Sequence, residues 1–81
     1  MTALVVIGDD RLGMLSDISN AISGTSSTNI RSLRVESNDG IFEGHIVLDV
    51  QDLEHLTVVI DKLRKVEGVR TVARQEAIQD A

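Results

Sequence analysis

Eighty-one residues make one domain, small enough that only about 60% of the unfolded surface is buried on folding, so pairing or attachment to a larger chain is an expected source of stability. There is no cysteine, which excludes disulfide staples, thiolate nucleophiles and cysteine-type zinc sites. A net charge of −5 and a single aromatic residue, Phe42, argue against a free-standing nucleic-acid binder, which needs basic surface and stacking rings.

The first apolar run, Ala3 to Ile7, is rich in β-branched residues and unbroken, and reads as a buried central strand. It is too short for a membrane span and is followed at once by Asp9 and Asp10, unlike a secretory leader, so the cytoplasm is the expected location and no membrane partner is expected. Gly8 to Gly13 is a loop. Met14, Leu15, Ile18, Ala21 and Ile22 then fall at helical spacing, with Ser16, Asp17, Ser19 and Asn20 opposite. Ser23 to Asn29 is a polar loop, and Ile30 to Ser37 alternates as a strand.

Asn38-Asp39-Gly40 predicts a tight hairpin, because Asp and Gly tolerate the positive φ it requires. Ile41 to Val50 follows, with Phe42, Gly44, Ile46, Leu48 and Val50 on one face. Asp52 is a good N-cap for a second helix with the stripe Leu53, Leu56, Val59, Ile60 and Leu63. Gly68 closes it, Val69 to Gln75 reads as the last strand, and 77–81 is expected to be a frayed polar tail.

The order βαββαβ predicts an α+β, ferredoxin-like sandwich: a four-stranded antiparallel sheet in the order 4-1-3-2 with two helices on one face. The expected core is Val5, Ile7, Leu15, Ile18, Ile22, Leu33, Val35, Ile46, Leu48, Leu56, Ile60 and Leu63.

Catalytic constellations are not evident. His45 and His55 lie on different elements, and each reads best as a solvated surface residue. Asp9 and Asp10 are adjacent, so their side chains diverge and a metal pair is not expected. The segment Asp9 to Gly13 does carry a mechanism. It runs from a central strand into a helix N-terminus, where free N–H groups hold carboxylates or phosphates and a glycine admits a ligand to the backbone. A plain turn, with Asp10 capping the helix and Gly13 relieving strain, satisfies the same residues.

The motif Asp10-Arg-Leu-Gly-Met-Leu15 resembles the D-R-x-G-h-L signature of ACT domains, and Asn29-Ile30 resembles the N-I pair that opens the second strand in that family. Val50-Gln-Asp-Leu-Glu-His-Leu56, Ile60-Asp-Lys-Leu63, Val66-Glu-Gly-Val69 and Val72-Ala-Arg74 are similar to the C-terminal ACT domain of Rel/SpoT-type GTP pyrophosphokinases. The resemblance covers Ala3 to about Arg74, and the expected ACT domain is 1–76. Leu12 stands where the family commonly has proline, and 24–28 is about one residue longer than usual and lacks the usual glycine before Asn29.

The resemblance implies a regulatory domain with no catalytic residue, no metal and no cofactor of its own. Its parent would make (p)ppGpp from ATP and GTP or GDP, and hydrolyse it, in the stringent response. Implied ligand contacts, for an amino acid, are Asp10, Arg11, Leu12, Gly13, Met14, Leu15, Asn29 and Ile30. Implied partners are a second copy through the edge strand (Arg31, Leu33, Arg34 and Glu36), the parent's catalytic half, and the ribosome and tRNA through the parent. Arg70 and Arg74 fall toward the other sheet edge, where charge also discourages unwanted strand addition. Two alternatives stay open: an amino-acid-binding domain of a biosynthetic enzyme, and a purely dimerising or ribosome-docking module.

Overall fold

The structure, a computed structural model, describes residues 1–25 and 28–75. The elements are β1 (Thr2–Asp9), α1 (Met14–Ser23), β2 (Asn29–Asn38), β3 (Ile41–Asp49), α2 (Leu53–Arg64) and β4 (Val69–Gln75). The sheet runs β2-β3-β1-β4, and every neighbouring pair is antiparallel. This is the expected order, with the unbroken apolar strand β1 in the interior. The expected tail 77–81, like Ser26 and Ser27 of the polar loop, lies outside the described residues.

The hairpin forms where the turn residues place it. Asp39 (φ 54) and Gly40 (φ 78) are both left-handed, the two-residue geometry whose twist suits flanking strands. Asp52 caps α2 by accepting from the His55 N–H at 2.8 Å. The helix ends at Arg64, earlier than Gly68, and Gly68 (φ 90) instead turns the chain into β4.

Both helices cover one face of the sheet. The core is Leu4, Val6, Met14, Ile18, Ile22, Phe42, Ile46, Leu48, Leu56, Val59, Leu63 and Val72. Several expectations need correction here. Val5 and Ile7 point to the uncovered face and are only half-buried, because β1 presents Leu4, Val6 and Gly8 to the helices. An all-apolar strand has no alternation to reveal its parity, and a shift of one residue exchanges its faces. Leu15 is 44% exposed, since α1 turns Met14, Ile18 and Ile22 inward, at steps of four. Leu33, Val35 and Ile60 pack at the core's margin, and Leu53, at the first position of α2, is exposed.

Candidate functional site

β1 pairs with β3 so that Asp9 lies opposite Ile41, which brings the β1–α1 loop beside the hairpin turn. The Asp10 N–H donates to the Gly40 carbonyl at 2.9 Å and fixes this neighbourhood. β2 meanwhile sets Ser37 opposite Phe42. Loop, helix start and hairpin enclose an open groove of about 420 Å³ lined by Asp10, Arg11, Leu12, Gly13, Met14, Leu15, Ser16, Val35, Ser37 and Phe42. Met14, Val35 and Phe42 supply an apolar wall. The Phe42 ring lies over Gly44, where an added Cβ would stand 3.0 Å from the ring carbon Cε1.

The polar side of the groove is backbone. Gly13 is the N-cap of α1 with φ 84, and it offers no side-chain cap; Asp10 does not cap the helix. The Met14 N–H is held by the Arg11 carbonyl at 3.2 Å, and the Asp17 N–H by the Gly13 carbonyl at 2.9 Å. The N–H groups of Leu12, Gly13, Leu15 and Ser16 have no acceptor among the described residues. A helix start with open donors and its positive dipole end favours an anion. The Asp10 carboxylate, exposed at the rim, is the one acidic side chain lining the groove.

Arg11 behaves differently from its neighbours. Its Nε donates to the Glu67 carbonyl at 2.8 Å, Nη1 to the Leu12 carbonyl at 3.0 Å, and Nη2 pairs with Asp17 at 2.8 Å. Three of the five guanidinium N–H donors thus end on the protein itself.

Six of the eight expected ligand residues, Asp10 to Leu15, line the groove together. Asn29 and Ile30 do not: they pair with Asp49 and Leu48 at the other end of β2, about 25 Å along the strand from Ser37. Of the expected interface residues, Arg34 and Glu36 are exposed on edge strand β2, while Leu33 turns toward the core. Arg31 sits at a bulge and bonds Asp49 at 2.8 Å. That bond is the main reason the Asp49 carboxyl titrates below its ordinary range. Ser16, Val35, Ser37 and Phe42 were not singled out as site residues; the hairpin signal that joins β2 to β3 carried the information that sets Ser37 and Phe42 side by side.

The two histidines are tied down. His55 Nδ1 accepts from the Gln51 N–H at 3.0 Å, which leaves Nε2 to donate to Thr28 Oγ1 at 2.9 Å. His45 Nε2 donates to Glu43 at 2.6 Å on the uncovered sheet face. No group of three or more His, Asp or Glu arranged for a metal occurs among the described residues. No helix among them is long and apolar enough to cross a membrane.

Compared with known families, residues 1–74 match the model described as the ACT domain. The chain belongs to the ACT domain family. This ACT domain superposes on the ACT domain of the GTP pyrophosphokinase of Chlorobium tepidum with a TM-score of 0.82, at 39% identity over 91% of this chain and 95% of that one. It is 36% identical over 73 residues to a guanosine-3′,5′-bis(diphosphate) 3′-pyrophosphohydrolase of Aquifex aeolicus, covering 90% of this chain and 10% of that protein. The chain therefore spans about a tenth of that relative's length. The small subunit of acetolactate synthase from Thermotoga maritima shares the fold, with a TM-score of 0.79 at 15% identity over 95% of this chain and 48% of that one.

Proposed function

We propose that this ACT domain is the regulatory module of a GTP pyrophosphokinase of the Rel/SpoT type, and that it senses a small carboxylate-bearing metabolite, an amino acid, in the groove at the start of α1. The observation that carries the reading is the pairing of unclaimed N–H groups at Leu15 and Ser16 with an apolar wall of Met14, Val35 and Phe42. A ligand carboxylate would take the N–H groups, its ammonium would face Asp10, and an aliphatic side chain would lie on Val35 and Phe42. The similarity to two proteins of (p)ppGpp metabolism supports the choice of parent. Catalysis, the ribosome and tRNA would be met by the rest of that parent.

Sensing of a metabolite pool calls for modest affinity, about 1 mM to 1 μM, or roughly −4 to −8 kcal/mol. Isothermal titration of a panel of L-amino acids into the wild-type chain and into Ser37→Trp tests this. Aliphatic amino acids should bind the wild type, and the indole in the groove should abolish binding. Heat from none of them at millimolar concentration, or equal binding to Ser37→Trp, rejects the site.

The edge position of β2 favours a second reading alongside the first, a homodimer through that strand. Directly opposed residues in an antiparallel pair must share a face, so the two-fold falls on a residue rather than between two. Centred on Val35, it sets Arg34 against Glu36 of the partner subunit on both sides of the axis. Arg31 is already engaged by Asp49, which leaves Arg34 as the cation of the seam. The same arrangement carries Asn29 of each copy toward the other's hairpin turn and groove, which unites the two separated halves of the ligand set. Sedimentation equilibrium should show a dimer, weakened by Glu36→Lys and restored by Arg34→Glu with Glu36→Lys. A monomer at high concentration, with and without amino acid, rejects it.

A further inference from the structure

The groove loop is bound to the α2–β4 turn by an unusually dense set of contacts. Arg11 reaches from the loop to the Glu67 carbonyl and returns a second bond to α1 through Asp17. A Cβ on Gly68 would stand 3.3 Å from Arg11 Nε and 3.1 Å from Met14 Cε, so both side chains from the groove pack on that glycine. The Asp9 N–H donates to the Gly68 carbonyl at 2.9 Å, and a Cβ on Gly8 would stand 2.6 Å from that same oxygen. Arg70, the second residue of β4, closes the set with a 2.8 Å ion pair to Asp9. β4 is an edge strand whose neighbour in the sheet is β1.

We infer that Arg11 is a positioning residue that couples occupancy of the groove to the start of edge strand β4, and that it does not contact the groove's ligand. The inference rests on the groove being the ligand site. The chemistry of the guanidinium supports it. Three of its five N–H donors, one on each nitrogen, already end on Glu67, Leu12 and Asp17, which fixes the plane of the guanidinium against the turn and α1 rather than leaving it to swing onto a ligand. Lysine cannot reproduce this role, because one ammonium cannot span a carbonyl on the turn, a carbonyl on the loop and a carboxylate on α1 in a fixed plane. A body seated against Leu12 to Ser16 displaces the loop, and Arg11 carries the displacement to Glu67, two residues before β4. The position of Val69 and Arg70 at the sheet edge is then what a neighbouring domain or strand reads. Coupling of this kind runs through packed and hydrogen-bonded contacts that move together.

A ligand-free experiment tests it. Ser37→Trp fills the groove covalently, and amide spectra of the ¹⁵N-labelled chain report the response. The amides of Leu12 to Ser16 should shift, and those of Glu67 to Arg70 should shift with them, while Leu48 and Asp52 hold still. In Arg11→Lys with Ser37→Trp, referenced to Arg11→Lys, the groove amides should still shift and the response of Glu67 to Arg70 should fall to the level seen at Asp52. A residue that only stabilised the fold would lower the melting temperature and leave the ratio of turn response to groove response unchanged; an unchanged ratio overturns the inference. A second readout needs no change at Arg11: its Nε–H resonance should move in Ser37→Trp in step with the Gly68 amide, and an unmoved Nε–H overturns the inference as well. No amino acid enters the experiment, so failure of amino-acid binding would remove the ligand reading without deciding this one.

Discussion

Gly8→Ala probes the joint between the candidate site and the α2–β4 turn. Gly8 is buried and its φ lies outside the left-handed region, so the cost of a methyl group there is steric. The new Cβ would stand 2.6 Å from the Gly68 carbonyl and 3.0 Å from Val69 Cα, both backbone atoms that cannot swing aside. Ordinary contact begins near 3.4 Å, so the turn must retreat by about 0.8 Å. That retreat stretches the 2.9 Å bond from the Asp9 N–H to the Gly68 carbonyl past useful length. Overpacking at about 1–3 kcal/mol and a lost hydrogen bond at about 0.5–1.5 kcal/mol, less the gain of about 0.4–1 kcal/mol of Ala over Gly in the unfolded chain, give a net loss of about 0.5–4 kcal/mol, centred near 2 kcal/mol. For a domain of this size a loss of about 2 kcal/mol lowers the melting temperature by roughly 8–16 °C. The assay is urea unfolding followed by far-ultraviolet circular dichroism. Gly40→Ala is the control: its Cβ meets nothing within 4 Å, and only its positive φ is strained, at roughly 1 kcal/mol. A loss below about 0.5 kcal/mol for Gly8→Ala, with unchanged denaturant slope, would show that the turn is not seated against β1 as described.

Leu63→Ala, at a position with no exposed surface between α2 and the sheet, should cost about 2–5 kcal/mol in the same assay, whereas Val58→Ala on the exposed face of α2 should cost about 0.5 kcal/mol or less. Asp52→Ala should cost about 0.5–2 kcal/mol by leaving the His55 N–H uncapped. The Asp49 carboxyl is held below its ordinary range chiefly by the hydrogen bond from Arg31. A depressed folded value means that its contribution is complete above the ordinary carboxylate range and is lost as pH falls through the folded value. Carboxyl-carbon NMR of Arg31→Ala should therefore show Asp49 titrating at higher pH than in the wild type; an unmoved midpoint refutes the pairing.

Strand order, hairpin and second cap were legible in the sequence because each has a local chemical cause. Asp39-Gly40 names its turn, and Asp52 stands directly before an apolar stripe at helical spacing. The face of β1 was not legible, since Ala3 to Ile7 gives no contrast between sides; only pairing with β3, whose Phe42, Ile46 and Leu48 point inward, fixes Leu4 and Val6 as core. The groove was half legible. The loop residues carry a motif and the hairpin turn sets Ser37 beside Phe42, but what brings that hairpin next to the loop is the pairing of β1 with β3, which no local pattern prints. The bond from Arg11 to the α2–β4 turn was hidden for the same reason, because its acceptor lies 56 residues away. With φ 84 at Gly13, Gly13→Val would strain the backbone before it blocked a ligand, whereas Ser37→Trp fills the groove from a strand position that accepts a large ring.

The most direct measurement of the central claim is an amide-resolved NMR titration of the chain with L-valine and, in parallel, with its carboxamide. The account predicts that valine at millimolar concentration shifts the Leu12, Gly13, Leu15 and Ser16 amides in a saturable way, and that the carboxamide, lacking the negative charge, does so far less. Shifts that avoid these four amides, or that are equal for acid and amide, would contradict a carboxylate site at the start of α1.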